Sequence, residues 1–255
     1  MKIVLEAKAL YKTFGKSKED EAAVLRGINL QIRQGEFVVI MGQSGSGKST
    51  LLYNISGMDR LTKGQVLFDG EDISSLSDDK ISKIRLNKMG FIFQHSHLLK
   101  TLSIKENIML PGIKAGKKPR AQVIRDADEL MQKVGIEAIG GHDITKVSGG
   151  QLQRAGICRA LINRPGIIFG DEPTGALNSG AALEIMKILN DINHNGTTLL
   201  VVTHDSKVAA RAERVIYLAD GKIETEYMLG KYNSKKEDLR ERENEMNKWL
   251  KQRGF

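Results

Sequence analysis

Residues Gly42-Gln43-Ser44-Gly45-Ser46-Gly47-Lys48-Ser49-Thr50 fit the pattern G-x-x-x-x-G-K-[ST]. Glycines let a backbone wrap tightly, so that successive N–H groups point inward at phosphate oxygens. A helix starting at the end of such a loop adds the positive end of its dipole. In this arrangement Lys48 would reach β and γ phosphates, and the Ser49 hydroxyl would ligate magnesium. A flexible glycine–serine turn satisfies the same pattern, so the flanking residues decide. Phe37-Val38-Val39-Ile40-Met41 runs directly into the loop and Ser49-Thr50-Leu51-Leu52 opens a helix, which is the setting the motif requires.

A second chemical cluster follows the apolar run Ile167-Ile168-Phe169-Gly170, which ends in Asp171-Glu172-Pro173. Ligands of parallel α/β sheets bind at the carboxyl ends of strands, so these acids are expected to face the glycine-rich loop. Asp171 would hold magnesium, directly or through water, and Glu172 would polarise an attacking water as general base. A third apolar run, 198–203, ends in His204-Asp205. A lone histidine is more often structural than catalytic. At this strand end, however, it is placed to touch a γ-phosphate or the attacking water.

These groups need a scaffold that points strand ends at one place. The run 37–41 is apolar on both faces, as befits the centre of a parallel sheet. Strands are expected also at 2–9, 28–32, 65–69, 166–170, 198–203 and 214–218, with Asp69-Gly70 as a hairpin turn. Helical spacing appears at Ala121, Ile124, Ala127, Leu130, Met131 and Val134, and again at Leu183, Met186, Leu189 and Ile192. Alternation of strand and helix implies right-handed crossovers. The expected fold is α/β: a P-loop NTPase core with a mainly parallel sheet, an N-terminal antiparallel β subdomain, and an inserted helical subdomain. The core takes residues 1–94 and 161–230, the helical insertion 95–160, and a C-terminal amphipathic tail 231–255. In the tail Leu239, Met246, Trp249 and Leu250 align, to pack on this domain, on a partner or on a membrane surface.

Composition bounds the partners. Of 255 residues, 40% are hydrophobic and 27% charged, ordinary for a globular chain. No apolar run approaches the roughly 20 residues of a membrane helix. The Ile3-Val4-Leu5 run is far shorter than a signal h-region, so no secretory leader is expected. The single cysteine, Cys158, cannot form an internal disulfide and suits a reducing cytosol. The net charge of +8 reads as a solvated lysine-rich surface or as attraction to anionic headgroups. Nucleic acid is not expected, because the basic clusters carry no interleaved aromatics.

Val147-Ser148-Gly149-Gly150-Gln151-Leu152-Gln153-Arg154 resembles the signature motif of ABC-transporter ATPases. The mechanics of the motif are legible: Ser148 can cap a helix whose first turn is Gly149-Gly150, giving a second anion-binding helix start. In the family, the P-loop of one subunit and the signature of the other sandwich each ATP. The resemblance therefore implies an ATP-dependent homodimer in which Ser148, Gly149, Gly150 and Gln151 contact the partner's nucleotide. It further implies that Phe14 stacks on adenine and that Gln94, closing Phe91-Ile92-Phe93-Gln94, contacts magnesium (Mg2+) and senses a membrane partner. Asp171 and Glu172 match the Walker B pair, and His204 the switch histidine. The resemblance spans roughly residues 1 to 225.

Phe91–Gln94, Leu98-Leu99, Glu106–Pro111 and Thr174-Gly175-Ala176-Leu177 look like the branch of macrolide-export, lipoprotein-release and bacitracin-export ATPases. That implies an ATPase subunit, cytoplasmic and peripheral at the membrane, powering a separate transmembrane permease. Substrates in the branch are peptide antibiotics, lipoproteins or amphipathic drugs. The alternatives are an ATPase that signals to a membrane assembly without transport, and a soluble nucleic-acid-associated ABC machine. Two positions depart from the pattern. Val147 replaces the commoner leucine, and Asn178 stands where the D-loop usually has aspartate, keeping hydrogen bonding but losing charge.

Overall fold

The computed structural model describes residues 2–15, 22–233 and 236–253, so the tail read as 231–255 is described apart from 234–235 and 254–255. The chain forms two compact units, Met1–Ser77 with Thr198–Phe255, and Asp78–Thr197. The first unit begins with β1 (Ile3–Phe14), β2 (Ala22–Arg33), β3 (Phe37–Met41), α1 (Lys48–Ile55), β4 (Lys63–Phe68) and β5 (Glu71–Asp72). The second holds α2 (Asp78–Lys88), β6 (Met89–Phe93), α3 (Ile104–Ala115), α4 (Arg120–Lys133), α5 (Gly149–Leu161), β7 (Ile167–Asp171) and α6 (Ser179–His194). The first unit resumes with β8 (Thr198–Val202), α7 (Ser206–Ala209), β9 (Arg214–Ala219), β10 (Lys222–Met228) and α8 (Lys236–Lys251).

In the first unit, β1 pairs antiparallel with both β2 and β4, and β5 closes the sheet across the Asp69-Gly70 turn. Both turn residues have positive φ, 50° and 85°, as a tight hairpin turn demands. The strands β1 and β2 run longer than the sequence spacing shows, because register shifts at Ala7/Leu10, Leu10/Tyr11 and Lys12/Thr13 break the two-residue alternation. β3 is buried along its whole length. It pairs in parallel with β8 on one side and β9 on the other, which is why its apolar run is unbroken. β10, missed from sequence, adds antiparallel to β9 with strictly alternating exposure, its charged side chains facing out.

The tail packs within this unit. Met246, Trp249 and Leu250 are buried, and the Trp249 ring lies 6.0 Å from Tyr217 and 5.4 Å from Tyr227. Arg242, also buried, donates to the carbonyls of Ala210, Ala212, Leu229 and Gly230. A planar guanidinium with five donors can tie together such a fan of carbonyls. Leu239 sits only half-buried at the start of the stripe.

In the second unit, α3, α4 and α5 share a core that includes Ile104, Ile108, Val123, Ala127, Met131 and Cys158. Burial pushes the Cys158 thiol up to about 12, so it stays protonated and packs as a small apolar group. Two helix faces differ from the sequence reading. On α4 the buried stripe is Val123, Ala127 and Met131 with Asp126, while Ala121 is exposed. Asp126 enters that stripe because Lys118 and Gln122 bond its carboxylate. On α6 the buried residues are Ile185, Met186, Leu189 and Asn190, whereas Leu183 is 54% exposed, one position off the helix's buried face. The helix α2 was missed, since Ile81 is its only fully buried residue.

Trp249→Ala removes the largest side chain anchoring α8, and a buried aromatic truncated to alanine costs about 3–5 kcal/mol. Urea denaturation should show that loss; a change under about 1 kcal/mol would mean that α8 is peripheral to the stability of the unit.

Candidate functional site

In the first unit, β3 and β8 run parallel in register, Ile40 opposite Val202. The segments that follow them, the Gly42–Thr50 loop and His204, therefore emerge at the same carboxyl edge. Gly42 is obligatory there: a Cβ on it would lie 2.1 Å from the Leu218 carbonyl oxygen. Gln43, Ser44 and Gly45 form the exposed rim. Gly45 has φ 82°, and a Cβ there would meet nothing within 4 Å, leaving open space over the loop. Ser46 is buried, and its Oγ has no hydrogen-bond partner. Lys48 Nζ donates to the carbonyls of Gly42 and Gln43, both at 2.8 Å, so the ammonium is drawn across the loop. Helix α1 starts from Gly47, which supplies no side-chain cap. Ser49 and Thr50 lie half-buried in its first turn. Phe14, at the end of β1, is 49% exposed. An open loop, an orphaned buried hydroxyl, a lysine across the loop and an uncapped helix start fit a phosphate chain. His204 is exposed just past β8, where Asp205 caps α7.

In the second unit, β6 and β7 pair in parallel with Phe93 opposite Asp171, so Gln94 and Glu172 extend side by side beyond the strands. Glu172 has φ 47°, an uncommon conformation for a residue with a side chain. The turn Gly175 N to Glu172 O, 3.0 Å, holds it. Gly175 itself is packed so closely that a Cβ would lie 3.0 Å from Gln94 Nε2 and 3.4 Å from Glu172 Cβ. Such strain at a site of intended chemistry is a common trade against stability. Among the described residues, no group of three or more His, Cys, Asp or Glu side chains could hold a metal ion.

The signature residues begin α5. Ser148 Oγ accepts from Gln151 N at 3.3 Å, and Gln151 Oε1 accepts from Ser148 N at 2.8 Å, a reciprocal capping box. Ser148 is exposed, and Gly149 and Gly150 follow without side chains to screen the helix start. This end of α5 opens on a pocket of about 400 Å³ that also includes Arg154, Asn178 and Glu184. Arg154 bridges to Glu184 of α6 and donates to the Val134 carbonyl.

Two residues carry positions that the sequence reading did not assign. Gln153, buried on α5, donates through Nε2 to the carbonyls of Phe93, at 2.9 Å, and Pro173, at 2.7 Å. It thereby ties the signature helix to the strand ends that bear Gln94 and Glu172. The available signal was a glutamine on a face whose following members, Gly156, Ile157 and Ala160, are all buried. Asn107, fully buried, pins the loop after Gln94 by bonding both Leu99 backbone groups and the Leu102 carbonyl. Within that loop Leu98 joins the helical core, whereas Leu99 is 49% exposed.

A strand–P-loop–helix, a Walker B pair and a capped signature helix define an ATP-binding cassette on a P-loop NTPase fold. Residues 25–175 match the ABC transporter family, and the chain belongs to it. It is 43% identical over 220 residues to the macrolide export ATP-binding/permease protein MacB of Mannheimia succiniciproducens, covering 86% of this chain and 34% of that protein. It is 41% identical over 220 residues to the pyoverdine export ATP-binding/permease protein PvdT of Pseudomonas fluorescens, covering 86% and 33%. The chain thus spans about a third of the length of the curated relatives it matches. The dimeric cassette MJ0796 in a post-hydrolysis state with ADP and Pi superposes at a TM-score of 0.83 and 40% identity, covering 89% of this chain and all of that one. CbiO1 of Clostridium perfringens, part of the transporter complex cbiONQ, superposes at 0.78 and 28% identity, covering 89% and 88%.

Asn178 Oδ1 accepts from Ala181 N at 2.9 Å and caps α6. Its amide oxygen therefore does locally what an aspartate would do. Asn178→Asp should keep stability within a few tenths of a kcal/mol, whereas Asn178→Ala should cost about 1 kcal/mol by loss of the cap. Chemical denaturation of the two variants checks this; equal losses would show that the cap is not the role of the side chain.

Proposed function

We propose that this chain is an ATP-hydrolysing subunit that works as a homodimer and powers a membrane permease supplied by a separate chain. The observation that carries the reading is the exposed start of α5. Together with the glycine-rich loop it gives one chain two anion-binding helix starts, more than one nucleotide in one subunit uses. Pairing the P-loop of one subunit with Ser148–Gln151 of the other accounts for both. The dimeric form of MJ0796 supports the arrangement.

Lys48 and the loop amides hold the β and γ phosphates, and Phe14 stacks on the base. Ser49, Gln94 and Asp171 would hold Mg2+, which would supply positive charge to offset that of the phosphates. Glu172 orients the attacking water and accepts its proton, and His204 bonds beside the terminal phosphate. Removing the acid should slow the reaction by about 10²–10⁴-fold without loss of binding.

For the membrane side, the relatives matched combine an ATP-binding part with a permease part. Among the described residues no helix is long and apolar enough to cross a membrane. In this reading the chain is cytoplasmic and peripheral to the membrane, held there by its permease. Those relatives are named for macrolide and pyoverdine export, and the cargo proposed for this chain's permease is a peptide antibiotic, a lipoprotein or an amphipathic drug, exported or released outside the membrane. Leu99, in the loop that follows Gln94, and Leu110 and Ile113 on α3 are exposed apolar side chains available to the permease.

Glu172→Gln should bind ATP, hydrolyse it at least a hundredfold more slowly and sediment as a dimer with ATP and a monomer without. A variant that turns over normally refutes the assignment of the base, and one that stays monomeric with ATP refutes the sandwich.

Leu99→Glu should melt within a few degrees of the parent, because the side chain is already half in water. Basal hydrolysis should be unchanged while co-purification with the permease is lost. Normal capture and stimulation of the permease-bound variant would remove Leu99 from the docking surface.

A further inference from the structure

Lys12 has no part in the chemistry above, yet it is only 8% exposed, an unusual place for a lysine. Its Nζ contacts Asp59 Oδ2 at 2.8 Å, the Arg60 carbonyl at 2.7 Å and the face of Phe14, with 4.6 Å to the ring centroid. We propose that Lys12 is a positioning residue for the nucleotide base, fixing the Phe14 ring and leaving only its outer face for stacking. This rests on the reading that Phe14 stacks on adenine.

The surroundings give the cation a firm seat. Met58 N and Asp59 N both donate to the Tyr53 carbonyl, at 2.8 and 3.1 Å, so the carboxylate partner is pinned to the last turns of α1. The end of β1 is bolted to the same segment, with Thr62 N donating to Tyr11 O at 2.8 Å and Thr13 N donating to Thr62 Oγ1 at 3.0 Å. Lys12 thus links an exposed aromatic to the helix that starts at the phosphate-binding loop. An ammonium within about 6 Å of a ring centroid is attracted to the ring's negative face. The ring is ordered before any ligand arrives, so less freedom is lost on stacking. The cation also draws π density toward the buried face, which lessens repulsion between the outer face and the π cloud of a purine.

The test is isothermal titration of the full chain with a non-hydrolysable ATP analogue and, separately, with inorganic triphosphate, which needs the loop but no stacking. Lys12→Met should weaken the analogue roughly 3- to 10-fold, the size of a partly exposed cation–π contact. Triphosphate affinity should stay within about twofold, the margin expected when the loop itself is untouched. Lys12→Arg, which keeps the charge, should restore most of the loss. Because Lys12→Met leaves Asp59 unpaired, Lys12→Met/Asp59→Asn repeats the measurement without that charge and should behave alike. Equal weakening of both ligands, no weakening of the analogue, or no rescue by arginine overturns the proposal. Phe14→Ala separates the two layers of the argument. If it leaves analogue affinity unchanged, the stacking reading falls and this inference with it. If it weakens the analogue while Lys12→Met does not, only the role of Lys12 is refuted.

Discussion

Backbone amides can converge on an anion only if the chain between strand and helix takes conformations that side chains obstruct. That constraint governs the Gly42–Thr50 loop, where a single Cβ on Gly42 would collide with Leu218 oxygen at 2.1 Å. The collision exists because β9 carries Leu218 alongside β3, Met41 opposite Tyr217, so the loop depends on the sheet register. The sheet in turn requires β3 to be apolar on both faces, sandwiched between β8 and β9. The burial of five consecutive residues and the tight loop after them are therefore one requirement, seen at two levels.

The same economy operates in the second unit with side chains in place of glycines. Gln153 spends its amide donors on the carbonyls of Phe93 and Pro173, which lie at the ends of the segments bearing Gln94 and Glu172. Leaving those buried carbonyls without donors would cost about 1–3 kcal/mol each. A buried glutamine is thus stabilising where it stands, and it ties α5 to the segments that bear the acids. Glu172 keeps its left-handed backbone because the turn to Gly175 and the close packing of Gln94 surround it.

Buried arginines do the corresponding work in the first unit. Arg214 meets Glu36 through two bonds, at 2.8 and 3.0 Å, and reaches Glu226 and the Gln31 carbonyl as well. Burial lowers the Arg242 pKa, and the carboxylates of Asp238 and Glu245 oppose that shift. Its four carbonyl partners hold α8 onto the unit, and the aromatic pair Tyr217 and Tyr227 then receives Trp249. The tail is a fold element of this unit, with its apolar stripe spent internally.

The positions of the candidate site residues were legible in the sequence wherever a motif needs particular residues at particular spacings. The P-loop, the acids after 167–170, the histidine after 198–203 and the signature cap all follow from residue type and order. The central strands were legible for a related reason: a strand buried on both faces has no freedom to be polar. Only the tertiary structure decided which side chains are shared between elements. It buried Asp126 on α4 by giving it Lys118, turned Leu183 outward, split Leu98 from Leu99, and seated Lys12 beneath Phe14. Each of these depends on a partner distant in the chain or on a rotation of a fraction of a helical turn, and neither leaves a periodic trace in a linear sequence.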